Sequence, residues 1–201
     1  MLLSYYQDQW VEAGCDEAGR GCLAGPVFAA ALIFPTDFHH ELLNDSKQLS
    51  EKKRMALRPI IEKEALAYSV QFLHTDEIAE LNILKASLTG MYRAAMDLKV
   101  RPELLLIDGN KALLSNEIPS IPIIKGDGKY KNIAAASVLA KTYRDEYMEK
   151  LHHEFPHYGW EVNKGYPTKA HRLAIQTHGA CIHHRAGFNL LGKGQLSLFE
   201  E

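Results

Sequence analysis

No stretch of this chain is apolar for long enough to span a bilayer as a helix. The longest such run, residues 27–34, has eight residues, against the about 20 that a spanning helix needs. The N-terminus has no basic start leading into an apolar block, so no secretory signal is read and a cytoplasmic location is expected, with no membrane partner. Cysteine is scarce. Cys15, Cys22 and Cys181 are odd in number and lack a compact spacing, which argues against a disulfide framework and fits a reducing compartment. Cys15 lies beside Asp16, but no histidine follows closely, and a small buried thiol is the simpler reading than a nucleophile. The Gly-rich loop ending in Gly-Lys-Ser/Thr that cradles nucleotide phosphates is missing, so triphosphate hydrolysis is disfavoured. The ten histidines show no ligand spacing that suits zinc. No internal repeat or long linker divides the 201 residues, which suit one domain with a proper core.

A global basic charge is also lacking, since the formal net charge is −2, so any contact with nucleic acid has to rest on local distribution. That distribution is uneven. Residues 1–100 hold ten Lys/Arg and fourteen Asp/Glu, whereas no acid occurs between Glu161 and Glu200. The acid-free stretch contains Lys164, Lys169, Arg172, Arg185 and Lys193, interleaved with histidines.

What is present centres on Gly14-Cys-Asp-Glu-Ala-Gly-Arg-Gly-Cys-Leu-Ala-Gly-Pro-Val27. Adjacent carboxylates repel, and placing Asp16 and Glu17 in a partly buried site is costly unless a cation or several donors compensate. The glycines around Arg20 leave backbone amides open to close approach by a ligand. For this stretch alone, a solvated hairpin turn is an equally good reading. Side chains alternate along a strand, so Asp16 and Glu17 serving one site would require the backbone to leave regular strand geometry.

In order, residues 11–18 and 26–34 read as strands, the second covered on both faces. A helix capped by Ser50 follows, with Met55, Leu57, Ile60 and Ile61 as its core face. Residues 65–73 read as a third strand, Thr75 as a helix start, and Ile83, Leu84, Leu88, Met91, Tyr92, Ala95 and Met96 as a helical core face. Leu104-Leu-Leu-Ile-Asp-Gly109 reads as a buried strand delivering Asp108 at its end, where sites form in open α/β sheets, although Asp-Gly is also a common turn pair. Ile121-Pro-Ile-Ile-Lys-Gly-Asp127 repeats that arrangement, so a second strand is expected to end in an acid. A long helix over residues 132–155 carries Ser137, Lys141 and Asp145 on one stripe; a Lys141–Asp145 ion pair on the helix surface is the plain account of the latter two. Beyond Pro156 the chain becomes loop-rich, with a short helix over residues 169–178 capped by Thr168 and ended by Gly179. Tyr166, in a Gly-Tyr-Pro loop, is either a stacking surface for a nucleotide or folded onto its own loop.

Asp16, Glu17, Asp108 and Asp127 are hard oxygen donors without His or Cys, which suits Mg²⁺ or Mn²⁺. Several acids at one point suit two such ions, as used for displacement at phosphorus. Phosphodiester hydrolysis follows as the reading, with the basic C-terminal portion holding the polyanion.

The ordered set Asp16-Glu-Ala-Gly-Arg-Gly21, Leu-Ala-Gly-Pro-Val27, Asp45-Ser-Lys-Gln-Leu-Ser50, Ile107-Asp-Gly109, Lys125-Gly-Asp127, Ala134-Ala-Ala-Ser-Val-Leu-Ala-Lys141 with Arg144-Asp145, and Gly165-Tyr-Pro-Thr168 resembles bacterial ribonuclease HII from about residue 11 to 190. Cys22 stands where proline is more usual. The resemblance implies an α/β, ribonuclease H-like mixed sheet flanked by helices, with a helical C-terminal extension. It divides the chain into a core at 1–155, an extension at 156–191 and a tail at 192–201. It implies Mg²⁺- or Mn²⁺-dependent cleavage of RNA in RNA/DNA hybrids and at single ribonucleotides in duplex DNA, by a chain expected to be a monomer. Asp16, Glu17, Asp108 and Asp127 would be the metal-binding carboxylates, with Asp145 a further candidate. Gly19, Arg20 and Gly21 would meet the junction backbone and Tyr166 the 2′-hydroxyl. Lys47 could reach a phosphate, although on its spacing alone a solvated lysine is the plainer reading, and Lys141 is a further candidate substrate contact. The tail residues Gln195, Leu196, Ser197, Leu198 and Phe199 resemble the peptide by which bacterial repair proteins dock on the sliding clamp; a frayed or self-packed tail is the alternative. Other readings are another nuclease of the same fold, such as a type 1 ribonuclease H or a junction resolvase, and a non-catalytic nucleic-acid-binding protein.

Overall fold

The computed structural model describes residues 2–41, 43, 49–113 and 117–192. Five strands form one mixed sheet: β1 (Glu12–Ala18), β2 (Val27–Ile33), β3 (Ala67–Leu73), β4 (Leu104–Asp108) and β5 (Ser120–Ile123), in the order β3-β2-β1-β4-β5. The first three are antiparallel, while β4 runs parallel to β1 and β5 parallel to β4. β2 is buried throughout, and its alternate residues serve two cores. Ala30 and Leu32 join Leu57 and Ile61 of α1 (Glu51–Glu64) and the alanine-rich start of α4 (Lys131–Glu154). Ala29, Ala31 and Ile33 join Met91, Ala94 and Ala95 of α3 (Ile83–Met96) on the opposite face. The short α2 (Thr75–Leu81) precedes α3 and is separated from it by Asn82, which has φ +62° and accepts from the amides of Leu84 and Lys85.

The expected core face of α1 is corrected at two positions. Leu57 and Ile61 are buried, but Met55 is exposed and Ile60 half-buried. Leu57 and Ile61 are one turn apart, whereas Met55 lies two residues, or about 200°, from Leu57 and falls on the solvent side. Ser50 caps the helix by accepting from the Lys53 amide.

Helix α4 lies directly on β1. A Cβ at Gly14 would come 2.3 Å from the Asn132 carbonyl carbon and the Ile133 nitrogen, so only glycine permits this approach. Buried Asn132 staples the junction, its Nδ2 donating to the Glu12 carbonyl at 2.8 Å and its Oδ1 accepting from the Phe34 amide at 3.1 Å. β5 ends at Ile123, and Asp127 sits beyond it in a 3₁₀ turn, Gly126–Gly128, entered through Lys125 at φ +55°. The expectation of a strand ending in Asp127 is thus corrected, because Lys125 in the left-handed region cannot extend a strand.

After α4 come a 3₁₀ turn (Pro156–Tyr158), α5 (Trp160–Asn163) and α6 (Lys169–His178), the last capped by Thr168 as its sequence predicts. Tyr158, Trp160 and Ile175 pack with Met148 and Leu151 of α4 and with Leu23 and Ala24, which follow the glycine turn. The C-terminal elements are therefore fastened to α4 and to the segment joining β1 to β2. Among the described residues, no helix is long and apolar enough to cross a membrane.

Candidate active site

One cleft is lined by Asp16, Glu17, Ala18, Gly19, Arg20, Gly21, Arg54, Asp108, Ser137, Lys141 and Tyr166. Asp16 and Glu17 reach it without the predicted break in strand geometry. Pairing of β1 with β2 continues in register through Ala18, but pairing with β4 stops at Cys15 opposite Ile107. Beyond that point the edge of β1 facing β4 is uncovered, so residues from both faces border the opening. Asp16 is buried and accepts from the Glu17 amide at 2.7 Å. Burial pushes its carboxyl well above the usual carboxylate range, and the charges of Glu17 and Asp108 push it further; a hydrogen bond from Ser137 opposes them. Glu17 pairs with Arg20 at 3.5 Å, and the arginine side chain remains half exposed.

Asp108 terminates β4, and its Oδ1 accepts from the Gly126 amide at 2.7 Å. A Cβ at residue 126 would lie 2.6 Å from Ile133 Cδ1, so any larger residue here would have to displace the end of that side chain. Asp127, one residue on, is buried and lies outside the lining of the cleft. Lys141 projects from α4 into the cleft and pairs with buried Asp145 at 2.5 Å, and Asp145 is likewise not part of the lining. The Lys141 ammonium is 5.5 Å from the centre of the Tyr166 ring. Tyr166 faces the turn across the cleft, about one-third exposed, with its hydroxyl pKa raised by burial first and then by Cys22. Its loop is docked onto the segment after the turn, the Leu23 amide donating to the Gly165 carbonyl at 2.8 Å.

The cleft therefore brings together Asp16, Glu17, Asp108, the Gly19, Arg20 and Gly21 turn, Lys141 and Tyr166. Lys47 and the tail residues 195–199 lie outside the described residues. Ser137 and Arg54 also line the cleft, although no sequence motif marks either as a site residue. The stripe shared by Ser137 and Lys141, four residues apart, was the available signal for the first, and Arg54 sits on α1 with no motif around it. Cys15 is fully buried, and its thiol is pushed up by burial and by the Asp16 charge, which leaves it protonated and inert.

The sequence profile described as Ribonuclease HII matches residues 13–190. The chain belongs to the ribonuclease HII family. It is thereby a hydrolase, an endoribonuclease of RNA/DNA hybrids. It is 61% identical over 201 residues to Ribonuclease HII of Bacteroides fragilis, covering 100% of both chains. With that of Bacteroides thetaiotaomicron the identity is 62% over 198 residues, covering 98% of this chain and 99% of the relative. Among solved structures, ribonuclease H2 from Pyrococcus horikoshii superposes with a TM-score of 0.74 at 25% identity, covering 90% of this chain and 94% of that one. The ribonuclease HII from Archaeoglobus fulgidus, solved in complex with PCNA, superposes with a TM-score of 0.69 at 24% identity, over 92% and 98%. The ribonuclease H-like fold expected from the sequence is the one observed.

Proposed function

We propose that the cleft hydrolyses the phosphodiester bond on the 5′ side of a ribonucleotide, in RNA/DNA hybrids and at single ribonucleotides within duplex DNA, leaving 5′-phosphate and 3′-hydroxyl ends. The observation that carries this reading is the meeting of three carboxylates, the glycine turn and Tyr166 in one cleft. The acids fit a divalent cation by the chemistry of the donor set: hard oxygens, with no His or Cys in the lining. The mutual charge that pushes up the Asp16 carboxyl is what a cation would relieve. Among the described residues no three such side chains already form a ligand cage. Two Mg²⁺ or Mn²⁺ ions bound there would supply activation of the attacking water and charge stabilisation at the departing 3′ oxygen. Asp16, Glu17 and Asp108 would hold them. Asp127 is assigned as the fourth carboxylate on the strength of its place beside Gly126, whose amide fixes Asp108.

The chain's own groups do the rest. Gly19, Arg20 and Gly21 offer main-chain amides and a guanidinium to the sugar-phosphate backbone, and Tyr166 reads the 2′-hydroxyl that separates RNA from DNA. Lys141 is a phosphate contact held in place by Asp145, which acts on Lys141 and not on the metals. Lys47 is a second phosphate contact. Residues 1–155 form the catalytic core, 156–191 the extension and 192–201 a tail whose Gln195 to Phe199 peptide docks a cytoplasmic monomer on the sliding clamp. The resemblance of that peptide to clamp-binding motifs supports the assignment. Cleavage of a duplex with one embedded ribonucleotide, with and without Mg²⁺, tests the activity. We expect one cut 5′ to the ribonucleotide that requires the metal; undiminished cutting by Asp108→Asn would overturn the assignment. Equal clamp affinity of the full chain and of a chain lacking residues 195–201 would remove the docking role.

A further inference from the structure

Two arginines beneath the glycine turn are buried without an acid. Arg144 of α4 is fully buried, and its three kinds of donor go to main-chain carbonyls. Nε donates to Pro26 at 3.0 Å, Nη2 to Ala24 at 3.0 Å and Nη1 to Lys164 at 2.8 Å. Arg185 is 1% exposed, donating from Nε to the Gly25 carbonyl at 2.9 Å and from Nη1 to the Arg20 carbonyl at 3.1 Å. Its Nη2 is buried and has no hydrogen-bond partner among the described residues. Neither guanidinium forms an ion pair there.

Buried charges are ordinarily paired, and carbonyl dipoles satisfy donors without cancelling charge. Burial and the neighbouring Arg144 pull the Arg185 pKa down to about 10, well above neutrality, so this cation persists. The two arginines touch both halves of the proposed ribonucleotide reader. Arg185 holds the Arg20 carbonyl within the turn. Arg144 holds the Lys164 carbonyl at the base of the Tyr166 loop and lies 5.8 Å from that ring's centre. A Cβ on Gly19, at φ +93°, would lie 2.0 Å from Arg144 Nε; the turn rests directly on this guanidinium.

We propose that Arg144 and Arg185 are positioning residues that hold the glycine turn and the Tyr166 loop in one register, and that their uncancelled charge draws one backbone phosphate of the substrate onto the turn. The proposal rests on the ribonucleotide-reading function above. In a low-dielectric setting a charge that no acid offsets acts over a longer range than one in water, and the substrate phosphate supplies the missing counter-ion.

Binding on an Asp108→Asn background, which prevents cutting, provides the test. The probes are a duplex with one ribonucleotide, the same duplex with a neutral methylphosphonate at each linkage around the ribonucleotide in turn, and an all-DNA duplex. With Arg185 present, one linkage should weaken binding roughly tenfold when neutralised, and Arg185→Met should cut that penalty, leaving only the share that Arg144 contributes. Arg185→Lys keeps the charge but cannot bridge two carbonyls, so it should keep the penalty while the preference for the ribonucleotide duplex over all-DNA falls roughly tenfold. Equal penalties in the Arg185 and Arg185→Met proteins, or a preference unchanged in Arg185→Lys, would overturn the proposal. Should Arg185→Met not fold, absence of any sensitive linkage in the parent protein refutes the charge role, and Arg144→Lys repeats the test of register. If protein with Asp108 intact fails to cut the single-ribonucleotide duplex in Mg²⁺, the underlying reading fails instead, before any arginine variant is made.

Discussion

Asp16 is the residue at which stability and activity oppose each other. Its carboxyl is raised above its unfolded value by burial and by Glu17 and Asp108, so its ionised form destabilises the metal-free fold at neutral pH. Asp16→Asn removes that charge in nearly the same volume. We expect it to melt a few degrees higher than the parent protein without metal, corresponding to about 1 kcal/mol at about 2–4 °C per kcal/mol for a chain of this size, while cleavage falls by at least about 10²-fold. Thermal melts in chelator beside a cleavage assay check both halves; a lower melting point in chelator contradicts the electrostatic account. The acids were legible in the sequence because neighbouring carboxylates next to glycine are costly and conspicuous. Ser137 and Arg54 were not, because a serine in an alanine-rich helix and an arginine in a charged one are unremarkable until the fold aims them. Met55 shows the converse: it is apolar and close to the helical period of the core face, yet its angle on α1 places it in solvent.

Among the elements, α4 organises the site, since it carries Ser137, Lys141, Asp145 and Arg144 and rests on β1 at Gly14. Gly14→Ala places a methyl within 2.3 Å of the α4 backbone and should cost about 3 kcal/mol, read as a lower denaturation midpoint. The C-terminal elements carry a pH dependence of their own. Trp160 Nε1 donates to His171 Nε2 at 3.0 Å, which leaves His171 Nδ1–H to donate to the Tyr166 carbonyl at 2.9 Å. His184 Nδ1 accepts from the Cys181 amide at 3.0 Å, so its Nε2–H points at His171 Nε2, 3.3 Å away. Both rings must be neutral, and burial, with His171, His183 and His157 nearby, pushes His184 down to about 4. A histidine depressed in the fold contributes stability that is fully present above its unfolded value near 6.5 and is lost as pH falls toward 4. Stability, read as the melting temperature, should therefore decline across that window, its free energy by at most about 1.4 kcal/mol per pH unit for this one group. His184→Asn should flatten the decline; an unchanged slope assigns it to carboxylates. Element order and most boundaries followed from periodicity, caps and apolar runs. The 3₁₀ turn at Asp127 did not, because it depends on Lys125 adopting a left-handed conformation that propensity does not favour.

Over the whole molecule, an excess of acids in the first hundred residues contrasts with an acid-free C-terminal stretch, and the cleft draws Asp16 and Glu17 from the first and Tyr166 from the second. A polyanion cannot settle on three carboxylates unless cations surround them, and Arg20, Arg54 and Lys141 line the same cleft. If these three each neutralise one phosphate, the slope of log affinity against log salt is about −2 to −3. Asp108→Asn protein and a ribonucleotide-containing duplex allow that slope to be measured without cutting. Lys141→Ala should make it shallower by about one and weaken the hybrid and the single-ribonucleotide duplex by the same factor, because a phosphate contact carries no information about the sugar. Tyr166→Ala should do the reverse, leaving the slope in place while erasing the preference for the ribonucleotide. If Lys141→Ala instead alters that preference, the 5.5 Å approach of its ammonium to the Tyr166 ring is part of the reader, and charge and specificity are joined on the face of α4 that meets the substrate.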